Sequence, residues 1–217
     1  MLEQVQQQLA GIYRADPGHD IRDYLVTDRK VALALAGSAM IAGSDETVLV
    51  AEDDDGVLLS VFLDAEMLSR LDGANPLSDL KPDQLDDLWQ VVEGVSHFNY
   101  LACAAQQDRP VTLLELELQA EVDKYVSTLL LSLAQGDSFG SRLHGWLFDA
   151  PEYREELDDE QRERYSAASQ YASRFCHRLR ERLLSGDAAA LPELRQFYRF
   201  GQREKISHIH TRAWGNA

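Results

Sequence analysis

The spacing of apolar residues changes near residue 75, and this change most limits what the chain can fold into. Before it, short β-rich runs are separated by turns. After it, apolar residues recur every three or four positions over much longer stretches, which is typical of amphipathic helices. The sequence therefore predicts an α+β protein, with a small N-terminal antiparallel sheet followed by an antiparallel helical bundle. We expect subdomains at 1–75 and 76–217, or one continuous domain.

The sheet is predicted from three apolar runs in the N-terminal part of the chain. Residues 24–26 and 30–36 are expected to be strands because they are rich in β-branched, aromatic or alternating apolar residues. Residues 47–63, "TVLVAEDDDGVLLSVFL", are expected to form a hairpin. Its turn is placed at Asp55 and Gly56 because both residue types tolerate a positive φ.

Helical spacing of apolar residues predicts five helices, at 2–14, 82–106, 111–134, 158–184 and 191–200. Thr112 is expected to cap the third of these, with Glu115 as its capping-box partner. The tail from Lys205 onwards carries His208 and His210 and is expected to be mobile.

Composition excludes several classes of function. The chain has 217 residues and a formal charge of -16, from 21 basic and 37 acidic residues. Nucleic acids and anionic membranes are polyanions, so we expect neither to be a partner. We see no signal peptide and no apolar run long enough to span a membrane, and two cysteines do not indicate a disulfide framework. A cytoplasmic protein is predicted.

The charge is unevenly distributed along the chain. Residues 44–93 contain 14 acidic and two basic residues, whereas residues 174–212 contain nine basic and four acidic residues. One interpretation is that the two segments neutralise each other within one molecule or across a homo-oligomer. The other is that the acidic segment receives a basic partner protein. We expect a protein partner or a homo-oligomer.

Glu93 and His97 are the first candidate for a site, because residues four apart share one face of a helix. On a helical wheel this face is polar and lies away from the apolar stripe, which predicts a solvent-exposed surface. Glu117 and Glu121 lie on the polar face of the next predicted helix. A divalent metal site is predicted only if the two polar faces close over a shared cavity.

A second candidate is the mixture of aromatic and basic residues near the C-terminus. It comprises Arg195, Phe197, Tyr198, Arg199 and Arg203. In one interpretation the rings anchor the last predicted helix on the bundle, while the arginines pair with acidic groups. In the other, these residues form a binding surface for a protein partner, since Arg and aromatic residues are enriched at interfaces.

The sequence contains none of the common phosphate-loop, dinucleotide-binding, serine-hydrolase or zinc-protease motifs. No catalytic residue can be named, so an enzyme is not favoured. The leading hypothesis is a noncatalytic protein-interaction protein, acting as an adaptor, chaperone-like factor or regulatory subunit without a cofactor. The alternative is a helical metalloprotein or metal-dependent enzyme that binds a divalent ion through Glu93 and His97.

Overall fold

The computed structural model describes residues 1–36, 44–53, 56–136, 139–151 and 156–213. The protein is α+β, as predicted from the change in apolar spacing, with three strands and a larger helical part in the described residues. Among these residues no helix combines the length and the apolar character needed to cross a lipid bilayer.

The sheet contains β1 (Leu25–Val26), β2 (Glu46–Asp53) and β3 (Gly56–Leu63) in the order β1-β3-β2. The predicted hairpin is confirmed, since β2 and β3 are antiparallel and pair from Glu46 with Leu63 to Asp53 with Gly56. The turn is shifted: Gly56 is already part of β3, and Asp55 lies outside the described residues. The prediction of a purely antiparallel sheet is wrong, because β1 runs parallel to β3 and makes the sheet mixed.

The strand predicted at 30–36 is also wrong, because this segment is helix α2 (Arg29–Ala36). Its Ala, Leu and Lys residues are strong helix formers, and the Lys30 backbone N–H donates to the Asp28 carboxylate at 2.8 Å. The helix buries the small side chain of Ala32 and leaves its larger apolar residues exposed. The alternation of apolar residues therefore did not indicate a strand.

A second helix was missed in the N-terminal part of the chain. Helix α3 (Ala65–Ala74) follows β3 directly, and its N-terminus is capped by Asp64, whose carboxylate accepts from the backbone N–H groups of Glu66 and Met67. Part of this segment was predicted to be a turn-rich connector. Helix α1 (Leu2–Tyr13) agrees with the prediction for residues 2–14.

The long helices are α4 (Leu85–Ala105), α5 (Leu113–Gln135) and α7 (Asp159–Leu184), with the short α6 (Leu143–Phe148) before α7. Helix α5 packs against both α4 and α7, and α4 also contacts the β2–β3 hairpin and α1. Their apolar faces join one buried cluster that includes residues of α1, the sheet and all the long helices. The division near residue 75 and the antiparallel bundle arrangement stay predictions.

The chain ends in α8 (Ala190–Arg199) and α9 (Gln202–Ala213). The tail from Lys205 onwards was expected to be mobile, but its described part is helical. The burial of one side chain, that of Lys205, explains the difference. Lys205 of α9 is fully buried, donating 2.5 Å to Gln119 and 2.9 Å to the Phe197 carbonyl. Gln119 in turn donates to Asp123, so α9 is tied to a buried polar network inside the helical core.

Candidate metal centre

The polar faces of α4 and α5 meet in the interior of the protein. His97 is 4% exposed and Glu117 is 7% exposed, so the expectation that this face of α4 is solvated is wrong. Glu93 and Glu121 are partly buried beside them. The structure therefore brings together all four residues that the sequence offered as metal ligands, and it does so through the closure of two polar faces.

The imidazole of His97 lies between two carboxylates. Its Nδ1 atom is 3.2 Å from Oε1 of Glu46, within hydrogen-bonding distance. Its Nε2 atom is 3.6 Å from Oε2 of Glu117, which is too long for a hydrogen bond, and Nε2 is buried without a hydrogen-bond partner. This distance is still within the range of an ion pair, so each ring nitrogen of His97 faces a carboxylate.

Lys124 of α5 lies next to the same group. Its Nζ atom donates to Glu93 at 3.0 Å and to Glu121 at 2.7 Å. Glu93 therefore lies between the imidazole side of the cluster and the ammonium side. Lys124 follows Glu121 by three positions and therefore lies on the same face of α5.

Glu46 was missed entirely, because nothing in the sequence connects the first residue of a strand with a helix fifty residues later. It reaches the cluster because Gly94, a residue of α4, faces the sheet. A Cβ atom at Gly94 would be 3.1 Å from Cγ of Glu46, 3.0 Å from Leu63 and 3.2 Å from Val61. The missing side chain lets the hairpin approach α4 closely enough for Glu46 to contact His97.

Burial and unbalanced charge shift the protonation equilibria of the cluster. Burial raises the pKa of Glu46 even though the neighbouring His97 lowers it, and burial likewise raises the pKa of Glu121 against the effect of Lys124. Burial lowers the pKa of His97, but Glu46 and Glu117 outweigh this and raise it well above its usual range. The two carboxylates therefore hold a proton on the imidazole at neutral pH.

Three of these residues are arranged as metal ligands. Glu46, Glu93 and His97 each offer one ligand atom, and the three atoms lie within 4.8 Å of one another. Ligands of one ion at about 2.1 to 2.3 Å from the metal are at most about 4.6 Å apart, so only a small closure is needed. Glu117 and Glu121 lie beside them as further carboxylates.

The C-terminal candidates are placed differently. Phe197 is fully buried and stacks on Phe175, while Tyr198 is 6% exposed and stacks on Tyr13. The rings therefore anchor α8, which matches the first of the two interpretations.

The arginines of this segment are partly buried or exposed, and none lies in the core. Arg195 donates to the Ile12 carbonyl and Arg199 to the Tyr13 and Arg14 carbonyls, so both help to fix the C-terminus of α1. Arg199 at the end of α8 and Arg203 in α9 are the exposed members of the five candidates. A partner surface here stays a prediction.

The chain matches no protein-family model, and neither the curated proteins nor the solved structures include one significantly similar to it. The chemistry of the cluster therefore has to be argued from its own atoms.

Proposed function

We propose that the protein binds one divalent transition-metal ion at Glu46, Glu93 and His97, with Glu117 and Glu121 as the adjoining carboxylates. The observation that supports this most directly is the convergence of three ligand atoms within 4.8 Å in a buried site. The burial of His97 between two carboxylates supports it independently, because an imidazole that can give up its proton in such a place can bind a cation instead.

Charge balance favours a bound cation. The cluster holds four carboxylates and one ammonium group, so it is strongly negative whether or not His97 carries a proton. Burying an uncompensated charge costs several kcal/mol, whereas a divalent ion would offset most of it. A ligand set of carboxylates and one imidazole suits Mn²⁺, Fe²⁺ or Zn²⁺.

The experiment is a metal titration of untagged protein. Protein stripped with a chelator should bind about one Mn²⁺ or Zn²⁺ per chain, and the ion should raise the melting temperature because it binds the folded state. Glu93→Gln and His97→Gln should each lose the metal-dependent part of this increase. Both substitutions keep a polar side chain in place, so the melting temperature without metal reports separately on folding.

Two exposed residues provide matched controls. Glu163→Gln and His177→Gln make the same chemical changes on the surface of α7 and should leave metal binding unchanged. Metal binding at less than about one ion in ten chains would contradict the proposal, and so would an affinity that is the same in both sets of variants. In either case the cluster would be a buried ion-pair network.

The noncatalytic interaction role ranks second as a proposal. Its sequence basis was the aromatic and basic C-terminal segment, and the burial of Phe197 and Tyr198 leaves only Arg199 and Arg203 of that set exposed. A pull-down in which Arg203→Ala removes a stoichiometric partner would restore it to first place.

A further inference from the structure

The candidate metal centre opens into a large cleft. Glu46, Glu93 and His97 line this cleft together with parts of α2, the β2–β3 hairpin, α6 and the first turns of α7, and its volume is about 2130 Å³. Small-molecule sites typically occupy about 300 to 1000 Å³. The cleft therefore has room for a ligand together with water.

Large apolar side chains that water reaches are concentrated in the walls of the cleft. Of the eight large apolar side chains that are exposed in the described part of the chain, five line this cleft. These five are Leu35, Val50, Leu58, Leu113 and Trp146. Leu35 is 61% exposed and Leu58 is 64% exposed. Apolar surface concentrated in one concave region marks a binding site more often than scattered apolar residues do.

The combination of apolar walls with a few converging polar groups is the usual composition of a small-molecule site. Here the polar groups are the metal ligands, so a ligand that fills the cleft would place its polar end at the ion. The charge of the cluster then restricts what that end can be.

An anionic end is disfavoured. With a divalent ion bound and His97 neutral, the four carboxylates and Lys124 still leave a net negative charge. Asp86, Asp158 and Glu160 add negative charge along the cleft and outnumber Arg164, while Arg109, also in the lining, is paired with Glu115 at 2.5 Å. An ammonium end is disfavoured for a different reason, since it has no lone pair with which to bind a metal.

We propose that the cleft binds an uncharged amphiphile, an apolar chain or ring system whose neutral hydroxyl or carbonyl oxygen coordinates the metal ion. This inference rests on the proposed metal centre. Tyr165 of α7 also lines the cleft and is partly buried, and it places a phenol hydroxyl beside the polar end of such a ligand.

The test compares three probes that share one chain and differ in the head group: 1-octanol, octanoate and octylamine. Each is titrated into protein loaded with Co²⁺, with the visible absorption of the ion and the fluorescence of the tryptophans as readouts. Octanol should bind about tenfold or more tightly than octanoate or octylamine and should change the Co²⁺ spectrum. Removal of the metal should weaken octanol binding by a similar factor.

Wall variants locate the bound chain. Leu58→Ser should weaken octanol binding about tenfold, because the apolar contact of one leucine is lost. Leu133→Ser is the matched control, since Leu133 is 39% exposed but lies outside the cleft. It should leave octanol binding unchanged, and both variants should still bind the metal.

The outcomes separate this inference from the proposed function. If the metal binds at one ion per chain but octanol does not bind, or octanoate binds best, the inference is overturned while the metal centre stands. If octanol binds equally well with and without metal, the coordination by its oxygen is overturned. If no metal binds in the first place, the same samples show this directly by elemental analysis, and the proposed function fails with it.

Discussion

At the scale of single residues, Lys124 decides the electrostatics of the cluster. Its ammonium contacts both Glu93 and Glu121, and its side chain is 10% exposed. These two carboxylates and Lys124 favour each other's charged forms, so the pKa of Lys124 is raised although burial lowers it. Without the ammonium, the remaining carboxylates would repel one another.

We expect Lys124→Met to destabilise the metal-free protein by about 3 to 5 kcal/mol, the usual effect of removing one partner from a buried ion pair. The loss should shrink as the pH falls and the carboxylates take up protons. Urea unfolding at several pH values measures it. Lys81→Met is the control, because Lys81 is an exposed lysine paired with Asp79. A Lys124 variant as stable as this control would contradict the prediction.

His97 should make the affinity of the proposed site for a metal ion dependent on pH. The raised pKa of His97 means that the free site is protonated at neutral pH, and coordination requires the neutral imidazole. Metal binding should therefore release a proton, and the apparent affinity should rise about tenfold per pH unit for each proton released. Titrations with Mn²⁺ on both sides of neutral pH test this. A constant affinity would show that His97 is not a ligand.

His97 should also make the stability of the metal-free protein depend on pH, but here a rise in pH lowers the stability. The pKa of His97 in the folded state is well above 6.5, the ordinary value for histidine. The resulting stabilisation is fully present below that value and is lost as the pH rises through the raised pKa. Metal addition should therefore stabilise the protein most on the alkaline side of neutral pH.

Lys205, in the buried network with Gln119 and Asp123, has the opposite effect from His97, because its pKa is lowered rather than raised. Burial lowers the pKa of Lys205 from 10.5 to about 7. Between these values the unfolded chain binds more protons, so stability should rise with pH by at most about 1.4 kcal/mol per unit. Below about pH 7 the ammonium is present in both states and this contribution is constant.

Lys205→Met should remove this alkaline rise in the free energy of unfolding, which urea unfolding between pH 7 and about 10 measures. The facing groups titrate outside that window: the pKa of Asp123 is about 6, and that of Tyr100 is raised above its usual range. Glu115 and Arg109, which also act on Lys205, are paired with each other. Parallel curves for the two proteins would show that Lys205 is not responsible.

At the scale of elements, α4 combines two functions on opposite faces. One face carries the apolar residues of the core, and the other carries Glu93 and His97 against α5 and the hairpin. Gly94 lies where the hairpin approaches, in the middle of a helix, where glycine usually costs about 1 kcal/mol relative to alanine. The close approach of β2 and β3 explains why a residue unfavourable to the helix is present.

We expect Gly94→Ala to weaken metal binding, since the new Cβ would push the hairpin and Glu46 by a few tenths of an ångström. Overpacking should cost about 1 to 3 kcal/mol, which offsets the gain in helix propensity. Gly11→Ala in α1 is the control, because nothing lies within 4 Å of that position. It should stabilise the protein by about 0.5 to 1 kcal/mol and leave metal affinity unchanged.

Elements that depend on neighbouring residues could be predicted from the sequence, whereas features that depend on contacts between distant segments could not. The hairpin and the long helices depend on local spacing and were predicted. Helix α2 was not, because its alternating apolar residues fit a strand equally well. The pairing of Glu93 and His97 on one face was predicted, but their burial was not, since a polar face reveals nothing about the element that covers it. The position of Glu46 beside His97 could not be predicted either, because it depends on the docking of a distant strand on α4.

At the scale of the whole molecule, the acidic and basic segments keep separate roles. Arg178 and Arg182 of the basic segment pair with Glu193 in the same segment, at 2.8 Å and 2.5 Å. The acidic segment supplies Glu46 and Glu93 to the candidate metal centre. A strongly negative surface around a cleft attracts cations over several ångströms, more so at low ionic strength.

The glycine at position 94 also couples two equilibria. Glu46 joins Glu93 and His97 only while the hairpin is seated on α4, so any ion held by all three residues binds the docked arrangement in preference to the undocked one. The two effects are linked: the free energy by which the bound ion stabilises the docked hairpin equals the free energy by which hairpin docking strengthens ion binding. Amide hydrogen exchange in β2 and β3 would then slow on metal addition. The exchange rate of the hairpin would therefore report the fraction of protein molecules that hold an ion.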